Sequence, residues 1–307
     1  MISRRLILAA ALSFAAVPAL AQEKLPVVAT FSILGDFVKN VGGDRIALTT
    51  LVGPDGDAHV YSATPADAKN LAASRVVFMN GLGFEGWIDR LIKASGTKAQ
   101  IVTATRGIKA RRMAGGHDHG HSHGHDHDHD HDEFDPHAWQ SVANAKVYVT
   151  NIRDALIKAD PAGKAEYEAN TTAYLARLDA LDKEIKTAIA GIPAARRKVI
   201  TSHDAFAYFK ATYGIDFVAP QGVSTESEAS AKDVAQIIRQ IKARKIPAVF
   251  LENVSDPRLA KRIADETGAK IGGTLYSDAL SDEQGPAPTY IDMMRHNLRQ
   301  FADALMS

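Results

Sequence analysis

Apolar residues recur along this chain with two alternating spacings. Short apolar runs rich in β-branched residues predict buried strands, and segments whose apolar positions repeat every three or four residues predict helices. Strands that alternate with helices are typical of parallel sheets covered by helices on both faces, so we predict an α/β protein. The predicted strands cover residues 25–31, 46–51, 76–79 and 100–103 in the first half, and 198–202, 217–219, 248–252 and 270–275 in the second.

The longest predicted helix separates the two groups of strands. It begins after Asp160-Pro161, where a capping residue precedes a first-turn proline, and it ends near Gly191. About thirty residues of helix rise roughly 45 Å, which is longer than one small domain needs. We therefore predict two lobes, residues 22–160 and 193–307, joined by a linker helix over residues 161–192.

The first residues have the composition of a secretory signal peptide. Arg4 and Arg5 provide the charged end, residues 6–17 the apolar segment, and Ala19-Leu20-Ala21 the small residues before the cleavage point. The apolar segment is too short to span a bilayer comfortably, which argues against a membrane anchor. We expect residues 1–21 to be removed and the mature protein to work in the periplasm.

Composition argues against several other kinds of function. The chain has 307 residues, of which 36 are basic and 36 acidic, so it lacks the positive charge with which proteins attract nucleic acid. It has no cysteine, and therefore neither disulfides nor thiolate metal ligands. Any transition-metal site in this protein must consist of nitrogen and oxygen ligands.

Histidines are concentrated in one segment. Eight of the 12 histidines alternate with Asp, Gly or Ser between residues 117 and 131. The segment lacks the apolar residues that form a core, so we predict a mobile loop over residues 113–133 that binds metal weakly at several sites. The histidines of this loop are His117, His119, His121, His123, His125, His127, His129 and His131.

The other histidines are scattered through sequence that is typical of folded domains. His59, His203 and the carboxylate of Asp278 follow predicted strands, and His137 opens the sequence after the histidine-rich loop. Ligands of open α/β sheets bind beyond the carboxyl ends of the strands. Three imidazoles and one carboxylate suit a tetrahedral Zn²⁺ ion, so these four residues are the candidate metal ligands. His296 lies inside a helical pattern, and we interpret it as an exposed helix residue.

Motifs for nucleotide binding or catalysis are weak in this chain. The segment from Gly81 to Gly86 matches a dinucleotide-binding fingerprint, but the acidic residue expected about twenty positions later is absent, so we interpret the segment as a strand-to-helix turn. A secreted zinc hydrolase would need a general base near the metal. Asp204, Glu226 and Glu228 are candidates for that base, although no spacing supports any of them.

Several motifs together resemble those of the solute-binding proteins of ABC transporters for zinc and manganese, the cluster A-I proteins with a rigid helical linker. The resemblance extends from about Pro26 to Leu305. Besides the acid-rich insert that carries the alternating histidines, the motifs are Asp57-Ala58-His59-Val60-Tyr61, Asn80-Gly81-Leu82-Gly83-Phe84-Glu85-Gly86-Trp87, Asp135-Pro136-His137-Ala138-Trp139, Thr201-Ser202-His203-Asp204-Ala205-Phe206 and Leu275-Tyr276-Ser277-Asp278.

The resemblance implies two lobes joined by one long helix, with a metal ion held in the cleft between them. His59 and His137 would be ligands from the first lobe, and His203 and Asp278 from the second. Manganese-binding members tend to have a carboxylate at the position of His203, so the imidazole there and the histidine-rich insert favour zinc. Some zinc-binding members use water in place of the last carboxylate, which leaves Asp278 or water as the fourth ligand.

The function that the resemblance implies is capture of Zn²⁺ in the periplasm and delivery to the membrane permease of an ABC transporter. We expect a monomer that is not an enzyme. The histidine-rich insert would raise the local zinc concentration or accept zinc from a periplasmic donor protein. The alternatives are a manganese-preferring binding protein, a secreted zinc hydrolase, and a metal buffer or surface adhesin without a transporter.

Overall fold

The computed structural model describes residues 23–113, 134–226, 229–244 and 246–306. The predicted signal peptide and the eight alternating histidines lie outside these ranges. Within the described ranges, no helix has both the length and the apolarity that crossing a membrane requires.

Four parallel strands form the sheet of the N-terminal lobe, in the order β2-β1-β3-β4. The central strands β1 and β3 are almost entirely apolar, as expected where helices cover both faces of a parallel sheet. The strands are β1 (Leu25–Phe31), β2 (Ile46–Val52), β3 (Val76–Met79) and β4 (Gln100–Thr103), and the helices of this lobe are α1 (Ser32–Gly42), α2 (Pro65–Ala73), α3 (Ile88–Ser95) and α4 (Val142–Ala159).

The C-terminal lobe repeats this arrangement. Its four parallel strands have the order β6-β5-β7-β8, so in both sheets the first strand of the lobe lies between the second and the third. The strands are β5 (Lys198–Ile200), β6 (Asp216–Val218), β7 (Ala248–Glu252) and β8 (Lys270–Leu275), and the helices that follow the linker are α6 (Ala207–Tyr213), α7 (Ala231–Arg244), α8 (Pro257–Thr267) and α9 (Tyr290–Met306).

The linker helix, α5 (Lys164–Gly191), lies against both halves of the chain. It packs on α1 and α4 of the first half and on α6 and α9 of the second. Its buried residues recur every three or four positions and form one stripe along the helix. The stripe consists of Tyr167, Thr171, Tyr174, Leu178, Leu181, Ile185 and Ile189. Together with the two parallel sheets, this helix confirms the predicted α/β fold of two lobes with a long helical connection.

The apolar pattern predicts a helix from Phe84 to Ala94, but helix α3 begins at Ile88, four residues later. Three consecutive residues from Gly81 have positive φ angles between 57° and 83°, which no helix can contain. The Glu85 carboxylate closes this turn by accepting hydrogen bonds from the backbone N–H groups of Asn80 and Gly81, at 2.6 and 3.1 Å. The segment that matches the dinucleotide fingerprint is therefore a strand-to-helix turn whose amides bind a carboxylate of the same chain.

The two ends of the histidine-rich insert lie side by side. Arg112 and Phe134 form an antiparallel β-bridge, and the Asp135 N–H donates to the Arg111 carbonyl at 2.8 Å. The hydroxyl of Tyr208, from the C-terminal lobe, accepts from the Arg111 N–H and donates to the Asp135 carbonyl, at 2.9 and 3.0 Å. The chain thus leaves and re-enters the N-terminal lobe at one point beside the other lobe.

Replacing Leu178 with alanine should destabilise the whole protein. Its side chain on α5 is fully buried, so the substitution leaves a cavity and should lower the free energy of unfolding by about 2–5 kcal/mol. Urea unfolding of the metal-free protein measures this change. The matched control is Lys186→Ala on the exposed side of α5, where loss of a surface ion pair should cost about 1 kcal/mol or less. Equal effects of the two substitutions would contradict a structural role for the buried stripe.

Candidate metal centre

The four candidate ligands lie beyond the carboxyl ends of strands from both sheets. His59 follows β2, His203 follows β5 and Asp278 follows β8, whereas His137 lies beyond β4 after the insert. Each sheet therefore directs two of these side chains toward the cleft between the lobes. His137, His203 and Asp278 have no exposed surface, and His59 is 6% exposed.

The donor atoms of these four residues all lie within 4.8 Å of one another. The Asp278 carboxylate is at the centre of the group, with Oδ2 at 3.0 Å from His203 Nε2 and 3.4 Å from His59 Nε2. Its Oδ1 lies 3.5 Å from His137 Nε2, and the Nε2 atoms of His59 and His137 are 3.3 Å apart.

These separations match the space that a small tetrahedral cation occupies. Zn–N and Zn–O bonds of 2.0–2.1 Å in tetrahedral geometry place neighbouring donor atoms about 3.3–3.4 Å apart. Asp278 Oδ1 is buried and has no hydrogen-bond partner among the described residues. A buried carboxylate oxygen without a donor is costly, and a divalent cation at the centre of the group would satisfy it.

A carboxylate fixes the orientation of the His137 ring. Asp135 Oδ1 accepts the His137 backbone N–H at 2.9 Å and lies 2.8 Å from His137 Nδ1. A proton on Nδ1 leaves the lone pair of Nε2 free to face the cleft, as in the carboxylate–histidine pairs of known metal sites. We therefore expect Asp135 to set the tautomer of this candidate ligand.

Glu252 has the same relation to His203 in the second lobe. Its Oε1 accepts the backbone N–H groups of Ser202 and His203, at 2.5 and 3.0 Å, and its Oε2 lies 2.7 Å from His203 Nδ1. The Glu252 side chain is fully buried at the end of β7, next to β5 in the sheet. We expect it to direct Nε2 of His203 toward the cleft.

The carboxylates around the centre control its protonation when no metal is bound. Burial opposes charge on His137, but Asp278 and Asp135 raise its pKa to about 9. Burial likewise opposes charge on His203, and Glu252 and Asp278 outweigh it, so its pKa is well above the usual value. Burial lowers the pKa of His59, which has no such pair of carboxylates. Burial would raise the pKa of Asp278, but His203 and His137 hold it well below its usual value.

Hydrogen bonds hold the Asp278 segment against the first lobe. The carbonyl of Ser277 accepts from Trp139 Nε1 at 3.0 Å and from Gln140 Nε2 at 2.8 Å. Ser32 Oγ, at the start of α1, accepts the Leu280 N–H at 2.9 Å. The fourth candidate ligand is therefore positioned by both lobes.

The other sequence-predicted residues are placed differently. His296 is half-buried rather than exposed, and its Nε2 lies 2.9 Å from the Thr274 carbonyl. It takes no part in the cluster of candidate ligands. Glu226 is exposed, and the Asp204 N–H donates to the Gly222 carbonyl at 3.0 Å. Glu228 lies outside the described residues. Neither Asp204 nor Glu226 is one of the four residues of the cluster.

The functions of Asp135 and Glu252 were not predicted from the sequence. Asp135 precedes His137 by two residues, and Asp57 precedes His59 by the same interval, so a repeated Asp-x-His pattern was a readable signal. Glu252 is 49 positions from His203, and only the pairing of β7 with β5 brings the two together. No local spacing points to that contact.

Two lobes with a linking helix and a buried cluster of nitrogen and oxygen donors between them define the class of metal-binding substrate-binding proteins of ABC transporters. The chain belongs to the ZnuA family, described as zinc-uptake complex component A periplasmic, which matches residues 27–304.

Individual relatives have different metals in their names. The chain is 32% identical over 283 residues to the manganese-binding lipoprotein MntA of Halalkalibacterium halodurans, covering 92% of this chain and 89% of MntA. It is 34% identical over 273 residues to the iron-binding protein YfeA of Yersinia pestis, covering 89% and 83%. The structure of the periplasmic zinc-binding protein TroA from Treponema pallidum superposes with a TM-score of 0.83 at 31% identity, covering 92% of this chain and 99% of that one.

Membership of this family establishes the general activity. The chain is a divalent-metal-binding component of an ABC transporter and works with a membrane permease and an ATPase. Its relatives are binding proteins and not enzymes. Because the relatives are named for manganese, iron or zinc, family membership alone does not define the metal.

Metal binding should release protons near neutral pH. The pKa of about 9 for His137 means that the empty site holds a proton that the metal must displace, so affinity should fall as the pH drops below about 9. Titration calorimetry with Zn²⁺ in buffers of different ionisation enthalpy counts the released protons. His296→Ala should leave that number unchanged, since His296 is outside the cluster. A binding enthalpy that is the same in every buffer would contradict the raised pKa.

Replacing Glu252 with glutamine should weaken zinc binding by about 10- to 100-fold, the usual effect of removing a carboxylate behind a metal-binding histidine. The amide retains an oxygen for the backbone N–H groups of Ser202 and His203, so the turn should persist. Competition against a chelator of known affinity measures the change. The matched control is Glu184→Gln on the exposed face of α5, and an equal loss of affinity in both variants would refute the specific role of Glu252.

Proposed function

We propose that this protein captures Zn²⁺ in the periplasm, holds it with His59, His137, His203 and Asp278, and delivers it to the permease of its transporter. The observation that carries the proposal is the buried cluster of three imidazoles and one carboxylate, with donor atoms within 4.8 Å of one another. Four protein ligands form a closed shell, which suits retention of an ion better than activation of water.

The choice of zinc rests on the donor atoms. Imidazole nitrogens suit zinc, whereas manganese favours sites rich in carboxylate, carbonyl and water oxygens with octahedral geometry. Four pairs of donor atoms in the cluster are 3.0–3.5 Å apart, close to the spacing in a compact four-ligand shell. The name of the structurally similar TroA, a zinc-binding protein, supports the same choice.

The location and the insert complete the proposal. The signal-like N-terminus and the periplasmic description of the family both support export. The eight alternating histidines would gather zinc weakly or receive it from a donor protein, and the ends of the insert border a cavity that reaches His59. Weak capture at the insert and tight capture by the monomer's buried cluster would then occur close together.

A manganese-preferring protein is the second candidate function. It is favoured by the names of MntA and of several streptococcal relatives that bind manganese. It would require the Asp278 carboxylate to bind through both oxygens, with water completing a larger shell.

Titration of the metal-free protein with Zn²⁺ and with Mn²⁺ tests the proposal. We expect one tight zinc site that is retained when residues 114–133 are replaced by a short Gly-Ser turn, which the adjacent ends at Arg112 and Phe134 permit. His203→Ala should abolish that tight site, and the control His296→Ala should keep it. Tighter binding of manganese would establish the second candidate, and loss of all tight binding on replacing the insert would contradict the buried site.

A further inference from the structure

His59 differs from the other three candidate ligands in its surroundings. It alone retains exposed surface, and it lines a cavity of about 160 Å³ with Met113 and Phe134 from the ends of the insert. Val223, Ser224 and Glu226 of the C-terminal lobe line the same cavity. The cluster is therefore nearest to solvent on the side of His59.

His59 also lacks the support that fixes the other two imidazoles. Asp135 and Glu252 stand behind the Nδ1 atoms of His137 and His203, at 2.8 and 2.7 Å. In the described part of the chain, Asp278 is the only carboxylate within ion-pairing distance of the His59 ring, and it is on the side of the metal. Of the three rings, His59 is therefore the one that packs on Phe84 without a second carboxylate among the described residues to hold it.

The carboxylate of Asp57 connects that backbone to the opposite lobe. Asp57 Oδ1 accepts the His59 N–H at 2.9 Å, and Asp57 Oδ2 accepts the hydroxyl of Thr225 at 2.6 Å. The corresponding residue of the other Asp-x-His motif, Asp135, uses its carboxylate for the His137 ring instead. The Asp57 side chain thus connects the backbone of a candidate ligand to Thr225, whose chain neighbours Ser224 and Glu226 line the cavity.

Neighbouring residues of the same turn make further contacts across the cleft. The Asp55 N–H donates to the Leu280 carbonyl at 2.8 Å, and Asn253 Nδ2 donates to Asp55 Oδ1 at 3.0 Å. Asp55 has a positive φ of 54°, a conformation that costs energy outside glycine and persists where surrounding contacts hold it. Residues 53–57, which we call the clasp, are therefore shaped by their contacts with the C-terminal lobe.

We propose that the clasp sets the rate at which bound metal is released, because the hydrogen bond from Thr225 to Asp57 joins closure of the lobes to the positioning of His59. When the C-terminal lobe moves away, Asp57 loses Thr225 and His59 loses its fixed backbone in one step. Asp57 and Thr225 are positioning residues for metal retention, and neither contacts the metal. This inference rests on the proposed function, since it requires a metal ion among the four candidate ligands.

Stopped-flow transfer of Zn²⁺ from the loaded full-length protein to a chelator tests the clasp. Thr225→Val keeps the shape of the side chain and removes the hydroxyl, and it should raise the release rate about tenfold, as expected for losing a hydrogen bond to a charged group. The association rate should change less than threefold, because the open protein lacks this contact. Thr225→Ser should restore slow release, which a general loss of stability would not predict.

Two further variants separate the clasp from a folding defect. Asn253→Asp keeps the shape of the side chain but replaces the donor to Asp55 with a second carboxylate. Repulsion between the two carboxylates should also speed metal release. Thr225→Val should have little further effect in an Asp57→Ala background, since the partner of the hydroxyl is already absent. The matched control Thr172→Val, on the exposed face of α5, should release zinc like the wild type.

The outcomes distinguish this inference from the proposed function. Tight zinc binding by the wild type with an unchanged release rate in Thr225→Val would overturn the clasp alone. A wild-type protein without a tight zinc site would overturn the proposed function, and the clasp with it. If Thr225→Val slows association as much as it accelerates release, and Thr225→Ser does not restore slow release, the substitution causes a general structural defect. That result would also overturn the clasp.

Discussion

The structure depends on one buried carboxylate and the imidazoles that face it. Asp278 has no exposed surface, and one of its oxygens has no donor among the described residues. Burying such a charge is unfavourable unless cationic partners compensate it. His137 and His203, whose pKa values are raised, provide that compensation. A further carboxylate lies behind each of these two rings, Asp135 behind His137 and Glu252 behind His203. Carboxylates and imidazoles therefore alternate in the cleft, and a divalent cation can take the place of the protons on the imidazoles.

The repeated sheet order gives this network its two-sided form. In each lobe the first strand lies between the second and third, so equivalent loops face the cleft from both sides. In each lobe a carboxylate lies beside Nδ1 of a candidate histidine ligand. Asp135 is two residues from His137 in the sequence, whereas Glu252 reaches His203 from a neighbouring strand. The stripe of buried residues on α5 packs against both halves, so the two lobes share one helix as well as the cleft.

Much of the fold was predictable from the sequence because strands and helices alternate with clear apolar spacing. The positions of His59, His203 and Asp278 beyond strand ends were readable for the same reason. Helix α3 was predicted too early, since the apolar residues Phe84 and Trp87 continue the helical spacing through a turn that the backbone of Gly81 requires. The role of Glu252 was not accessible, because it depends on which strands are neighbours in the sheet. Sequence patterns predict local elements well, but pairing between distant strands is decided by the packed structure.

The side-by-side ends of the histidine-rich insert have a consequence for engineering. Since Arg112 and Phe134 are already paired, the interval between them adds a closed loop whose entropic cost grows only slowly with its length. We therefore expect the lobe to tolerate other sequences between these two residues. A fluorescent reporter or an affinity peptide introduced there would stand beside the mouth of the His59 cavity and could report on its occupancy from outside the core.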